Sequence, residues 1–426
     1  MTDQSIKALR QIAWHIFQSA VETADPALAM KTALSSSPFP VLTANGKYIV
    51  VGIGKAAPAM MREALGQIAG PYTALCITHP ENTESAGDAA LMYGAHPVPD
   101  DTSLSAGQAV ADLLAEAGPA DQVIALISGG GSALMALPVP GISIADKAKV
   151  SELLLGAGID ITQMNLVRQQ LSELKGGGFL HHAAPAPVRA YILSDVIGDD
   201  LRAIASGPTV APIGTQEDAR EICLQAGVWG ELPASVRDHL SRSEVKTQPA
   251  PPSENHLIGS NRQSLQAAEK AATDVGSVHV VSDHLIGDVR DAATLLLDAA
   301  EATPSSAVSV LLAGGETTVQ LTGSGKGGRN QELALHVAVG AEKRGLSGDW
   351  IFLSGGTDGR DGPTDAAGGI VDASSLQRMR NAGVDPITLL DNNDSYAALS
   401  ASKDLLMTGA TGTNVADIQC FLISKP

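Results

Sequence analysis

The sequence predicts an α/β protein of two domains, each a mostly parallel sheet flanked by helices. Short apolar, β-branched runs alternate with helical patterns from end to end, the signature of strands joined by right-handed helical crossovers. The runs are near-continuously apolar rather than alternating, as strands buried on both faces are. One break interrupts them, Lys246-Thr-Gln-Pro-Ala-Pro-Pro-Ser253, whose prolines hold the chain extended and remove ladder donors. The boundary is therefore placed there: a Rossmann-like domain over residues 1–246 and a smaller α/β domain over residues 254–426.

The first element is a helix. Ile6, Leu9, Ile12, Ala13, Ile16, Phe17 and Ala20 recur at helical spacing, and no basic segment with an apolar core and cleavage site precedes them. Strands follow at Tyr48–Val51, Ala74–Ile77, Val123–Ile127 and Ala190–Leu193, then at His256–Ile258, Val278–Val281, Val308–Leu312 and Trp350–Leu353. A helix is expected over Asn165–Lys175, with Asn165, Arg168, Ser172 and Lys175 as one polar stripe, and another over Leu333–Ala341.

Composition narrows the function. A net charge of -18 argues against nucleic acid, while a few cations in a cleft still suffice for a small anion. No run of about 18 apolar residues could span a membrane. Cys76, Cys223 and Cys420 are far apart and odd in number, which gives neither a disulfide framework nor a metal cluster and fits a reduced, cytoplasmic setting. No feature excludes a homo-oligomer.

The chemistry is expected where strands end, because open α/β sheets bind ligands beyond their carboxyl ends. Gly52-Ile-Gly54-Lys55 follows the first strand; position 57 is Ala and no acid closes the second strand, so the dinucleotide fingerprint is incomplete. Lys55 in a first helical turn opposes the dipole, which points it toward a bound anion. Ser128-Gly129-Gly130-Gly131-Ser132 can turn its amides inward around an anion, with Ser132 capping the next helix. Gly314-Gly315-Glu316-Thr317-Thr318 is expected as a further strand-end loop. Gly325-Lys-Gly-Gly-Arg329-Asn330 leads into a helix, and the planar fork of Arg329 suits phosphate or carboxylate. Arg168 and Lys175 either face the cleft and hold a carboxylate or lie in solvent. Asp195, Asp199, Asp200, Asp358, Asp361 and Asp365 are the acidic candidates. No Walker A loop or protein-kinase signature is present. His96-Pro-Val-Pro-Asp100 and His181-His182 are left outside the site, as histidines bracing turns.

As a set, the loops are similar to those of class II glycerate kinases. Gly52-Ile-Gly-Lys55, Ser128-Gly-Gly-Gly-Ser132, Asn165-Leu-Val-Arg-Gln-Gln-Leu-Ser-Glu-Leu-Lys175 and Ala205-Ser-Gly-Pro-Thr209 resemble the N-terminal domain. Gly314-Gly-Glu-Thr-Thr318, Gly328-Arg-Asn-Gln-Glu332 and Ser354-Gly-Gly-Thr-Asp-Gly-Arg-Asp361 resemble the MOFRL domain. The resemblance implies phosphoryl transfer from ATP, with Mg²⁺, to the 2-hydroxyl of D-glycerate in an interdomain cleft. Regiospecificity rests on the resemblance alone. It also implies that Lys55 and Arg329 matter, and Asp195 is the expected proton acceptor or metal ligand, with Asp358 a second ligand. Arg329→Lys is expected to cost turnover without changing the melting temperature. Many relatives carry the label hydroxypyruvate reductase, an NAD(P)H activity that the incomplete fingerprint argues against.

Overall fold

The computed structural model describes residues 3–43, 45–242, 251–304 and 308–424. Two compact units emerge, one of residues 26–258 and one of residues 1–25 with 259–426.

The first unit is built on β1 (Tyr48–Ile53), β2 (Tyr72–Thr78), β3 (Ala90–Tyr93), β4 (Gln122–Ile127), β5 (Val188–Leu193) and β6 (Ser253–Gly259), in the order β3-β2-β1-β4-β5-β6. From β3 to β5 every neighbour is parallel. Ile49, Val51, Ile53, Val123, Ala125 and Ile127 pack with Leu114, Leu134 and Phe179 from covering helices. The order reverses between β1 and β4, and at such a switch point two adjacent loops diverge and leave a crevice. The edge strand β3 is exposed at three of its four residues, which hid it from a search for apolar runs.

The second unit carries β7 (Ser277–Asp288), β8 (Val308–Thr318), β9 (Asp349–Gly356), β10 (Gly368–Asp372), β11 (Leu405–Leu406) and β12 (Asp417–Ser424), ordered β11-β10-β9-β12-β8-β7. Here the expectation of a mostly parallel sheet fails. Only β7 and β8 pair parallel, and the other four contacts are antiparallel. The link from β9 to β10 holds no helix, and a parallel return needs a crossover of a dozen or more residues. The last strand then inserts between β8 and β9 and runs against both.

Alternate residues of these strands feed two cores, so both faces are buried. Leu311, Phe352 and Phe421 pack with the helices Val289–Ala302 and Arg329–Arg344. Val310, Leu312, Ile351, Leu353 and Leu422 pack with Leu265, Ala268, Ala13, Ile16 and Phe17. The helix Asp3–Thr23 thus completes the second unit, not the first, and residues 1–25 leave the domain expected over residues 1–246. Its apolar stripe covers a face that the helix Asn261–Ala272 leaves partly open. Arg10 fixes it further by pairing with Asp372 and Asp404. β6 likewise joins the first sheet although residues from 254 on were expected in the second domain. Of the proline-rich break, residues 246–250 lie outside the described residues.

Candidate functional site

The loops after β1 and β4 meet at the switch point of the first sheet. Lys55 N donates to Gly129 O at 2.9 Å and Ala56 N to Ser128 Oγ at 3.1 Å, so Ser128 is a buried strut between the two loops. Gly54 lies in the left-handed region at φ 128°, and a Cβ there would sit 2.2 Å from Ser128 Oγ. Lys55 directly precedes Ala56, the N-cap of the helix Ala57–Gly66, rather than lying inside the helix, and is exposed with its stem along Gly130.

Asp195, directly after β5, faces the same loop: a Cβ on Gly129 would fall 2.1 Å from its Oδ2. Burial pushes the Asp195 carboxyl above its ordinary value, against the opposing pull of its own backbone N–H and of Lys55. His96 also reaches this place, at 3.4 Å from the position a Gly130 Cβ would take. Burial and then the charge of Lys55 hold the His96 imidazole below its ordinary value, which keeps it neutral. Leaving His96 outside the site is therefore corrected: the loop after β3 brings it in.

A cavity of about 520 Å³ opens here, lined among others by His96, Gly130, Ser132, Asn165, Arg168, Lys175 and Asp195. Arg168 and Lys175 line it rather than lying out in solvent. They do so by a different geometry from the expected stripe. The helix ends at Gln170, and Ser172 leaves the helix to bridge to Pro138. Lys175 stands in the turn beyond, donating to Ser132 O and to Met135 O at 3.4 Å.

Ser132 does not cap a helix. The four-residue helix Gly131–Leu134 has Gly130 as its N-cap, and the Ser132 hydroxyl instead meets Ser206 at 2.7 Å. Ser206 also donates to Asn165 Oδ1 at 3.1 Å. Ala205 and Ser206 hold left-handed φ values of 50° and 61°. That conformation costs a non-glycine residue of order 1–3 kcal/mol and persists only where surroundings over-determine it. Here Gln169 donates to Ser206 O at 3.2 Å and Gly176 N to the same oxygen at 3.1 Å. The turn thus holds Ala205 against the glycine loop.

Lys147 was missed. It projects from the helix Ile144–Gly156 into the cavity wall, and its buried partners on that helix are Val150 and Leu154. A lysine in register with the apolar positions is the signal that sequence reading could have used.

Apart from Asp199 and Asp200, the remaining candidates belong to the second unit, where their polar groups are engaged within that unit. Gly314–Thr318 is no loop, because β8 continues through it and Gly315 pairs with both Leu285 and Asp417. Arg329 opens its helix as expected, but its fork is already engaged. Nε and Nη2 donate to Asp417 at 2.6 and 3.0 Å, and Nη1 meets Glu316 at 3.0 Å. Burial disfavours the guanidinium charge, yet Asp417 outweighs it and the net shift is upward. Thr317 is buried in β8 and Asn330 accepts from the Ser354 hydroxyl at 2.6 Å.

The acidic candidates divide in the same way. Asp361 accepts from Asn330 N and Gln331 N at the helix start, and burial pushes its carboxyl up to about 6 against those bonds. Asp358 accepts from Arg360 N in a tight turn, Asp365 from the Tyr396 hydroxyl, and Asp200 pairs with Arg202. Asp199 has a left-handed φ of 57° in the loop after β5. Asp195 is the one that lines the cavity. Among the described residues no group of three or more His, Cys, Asp or Glu side chains is placed to hold a metal ion, and no helix is long and apolar enough to cross a membrane.

Residues 12–241 match the domain of unknown function DUF4147, and residues 309–417 match the MOFRL family. The D-glycerate 2-kinase of Thermotoga maritima is 38% identical, over 98% of this chain and 99% of its own. A putative hydroxypyruvate reductase of Agrobacterium vitis is 39% identical, over 99% of this chain and 96% of its own. The crystal structure of a glycerate kinase from Thermotoga maritima matches with a TM-score of 0.88 at 36% identity, covering 98% of this chain and all of that one. Matched along nearly its whole length in sequence and in fold, the chain belongs to the glycerate kinase family built from a DUF4147 and a MOFRL domain.

Proposed function

We propose that the protein transfers the γ-phosphoryl group of ATP to the 2-hydroxyl of D-glycerate, giving 2-phosphoglycerate. The observation that carries this reading is the meeting of Asp195, Lys55 and the Ser128–Ser132 loop at the switch point of the first sheet, in a chain whose relatives include a D-glycerate 2-kinase. A carboxylate raised toward neutrality is well matched to take a hydroxyl proton, a step worth about 10²–10⁴ in rate when positioned. Asp195 is that acceptor. Lys55, exposed beside it and without an ion pair among the described residues, offsets charge on the phosphoryl group in transit.

Magnesium would supply charge neutralisation on the nucleotide's phosphates. It keeps several waters and is held by one or two carboxylates plus phosphate oxygens, so Asp195, one of the two carboxylates that line the cavity, would fit it without a preformed cage. Arg329 holds Asp417 and Glu316 within the second unit. The three cysteines are free and buried, in keeping with a reducing cytoplasm.

The first sheet has the strand order of dinucleotide-binding folds, the feature that favours a reductase. Its β2 nevertheless ends on Thr78, with His79 next, and lacks the acid that would hold a ribose. The test is an assay of purified protein with D-glycerate, ATP and Mg²⁺ coupled to enolase, which consumes only 2-phosphoglycerate. ADP and phosphoenolpyruvate should form together, and EDTA should stop both. ADP without phosphoenolpyruvate would refute the 2-hydroxyl assignment. NADH oxidation by hydroxypyruvate with no ADP would refute the kinase.

A further inference from the structure

The cavity beside Asp195 has a basic wall that proton transfer and phosphoryl stabilisation do not use. Lys147 is 6% exposed and lines the cavity, and its Nζ has no hydrogen-bond partner. Among the described residues neither it nor Arg168 makes an ion pair. Glu152, on the same helix and in the same wall, is turned to Lys149 at 3.6 Å. A buried ammonium without a counter-charge is costly, and folds keep one where an anion will meet it. Lys175 completes the group. Two of its three donors reach Ser132 O and Met135 O, which leaves one for a ligand.

We propose that Lys147, Arg168 and Lys175 form the subsite for the acceptor's carboxylate, and that Lys147 selects a 2-hydroxy acid over an uncharged polyol. This rests on the kinase reading above. One short turn ties the two halves of the site together. Its first glycine, Gly129, abuts the Asp195 carboxylate, and its last residue, Ser132, accepts from Lys175. In a 2-hydroxy acid the hydroxyl and the carboxylate hang from neighbouring carbons. A molecule whose hydroxyl faces Asp195 therefore carries its carboxylate toward the basic end of the same turn. Burial, then the nearby Arg168, lowers the Lys147 ammonium to about 7, and burial holds Lys175 well below its ordinary value.

Lys147→Met in the full chain tests this, with D-glycerate varied at saturating ATP and ATP varied at saturating D-glycerate. Losing one charge-assisted hydrogen bond should raise KM for D-glycerate about 30-fold. The turnover number and KM for ATP should hold within about threefold, and the melting temperature should not fall. Arg168→Gln should repeat the split. The parent's KM for D-glycerate should also climb as pH rises through about 7, where Lys147 loses its proton, and Lys147→Met should lose that dependence. The other titratable groups at the cavity, His96, Glu152, Lys175 and Asp195, are kept in the variant and separate its effect from theirs. A rise in KM for ATP with D-glycerate unaffected would make this a triphosphate site and overturn the proposal, as would no change in either. Should the parent transfer no phosphoryl group at all, calorimetry with D-glycerate alone still decides: binding lost in Lys147→Met supports the subsite, while equal binding or none overturns it.

Discussion

Arg329→Met should destabilise the protein, contrary to what its place in a glycine-rich loop suggests. The Asp417 side chain is 0% exposed and that of Arg329 33%. Removing one partner of a buried ion pair leaves an uncompensated charge, at about 3–5 kcal/mol. The exposed third of the arginine lowers this to about 2–4 kcal/mol, since water screens part of the pair. For a unit of this size each kcal/mol moves Tm by about 2–4 °C, so differential scanning calorimetry should show a fall of about 5–15 °C. Asp417→Asn in the Arg329→Met background should recover at least half of the loss, because the stranded charge is gone. Arg329→Lys should fall between the two, as one ammonium cannot serve both oxygens of Asp417 and also Glu316. A single variant that melts within about 1 °C of the parent, with a double variant no better, would show that Arg329 is not anchored as its geometry indicates.

Two further outcomes bear on the first unit. Lys55→Ala should lower kcat by about two orders of magnitude or more, the worth of one preorganised charge beside the transferring group, with Tm unchanged because the side chain is exposed; retention of most activity would remove it from the reaction. Gly129→Ala would bring a Cβ to 2.1 Å from Asp195 Oδ2, so it should cut kcat by at least about 10²-fold through the displaced carboxylate, and an unchanged kcat with native circular dichroism would free Asp195 from the proposed role.

Much of the fold was legible because most buried strands announce themselves as short apolar runs, although the run Cys420–Ile423 of β12 was not among those expected. Eight of these runs correspond to strands, from β1 at Tyr48 to β9 at Trp350. What escaped has physical causes. β3 is largely exposed and β10 begins with two glycines, so neither makes an apolar run. The direction of β10 follows from the short link after β9 rather than from its residues. The helix Asp3–Thr23 has an amphipathic pattern that says it will be buried, not upon which sheet. Only packing decides that.

The site divides along the same line. Backbone chemistry is written locally: the glycines at positions 54 and 129 predict close approach, and side chains of Ser128 and Asp195 occupy the space left open. Side-chain partnership is not local. Arg329 follows a glycine run that suggests a phosphate grip, yet its partner Asp417 lies 88 residues away. No local pattern could show that the fork is filled from within. Lys147 presents the reverse case. A lysine in step with Val150 and Leu154 is an anomaly visible in the sequence, because an apolar helical face rarely admits an ammonium. Such a residue is either paired inside the fold or reserved for a ligand, and the orphaned Nζ selects the second. The informative departures from amphipathic pattern in this chain are therefore its charged residues on apolar faces, more than its glycine loops.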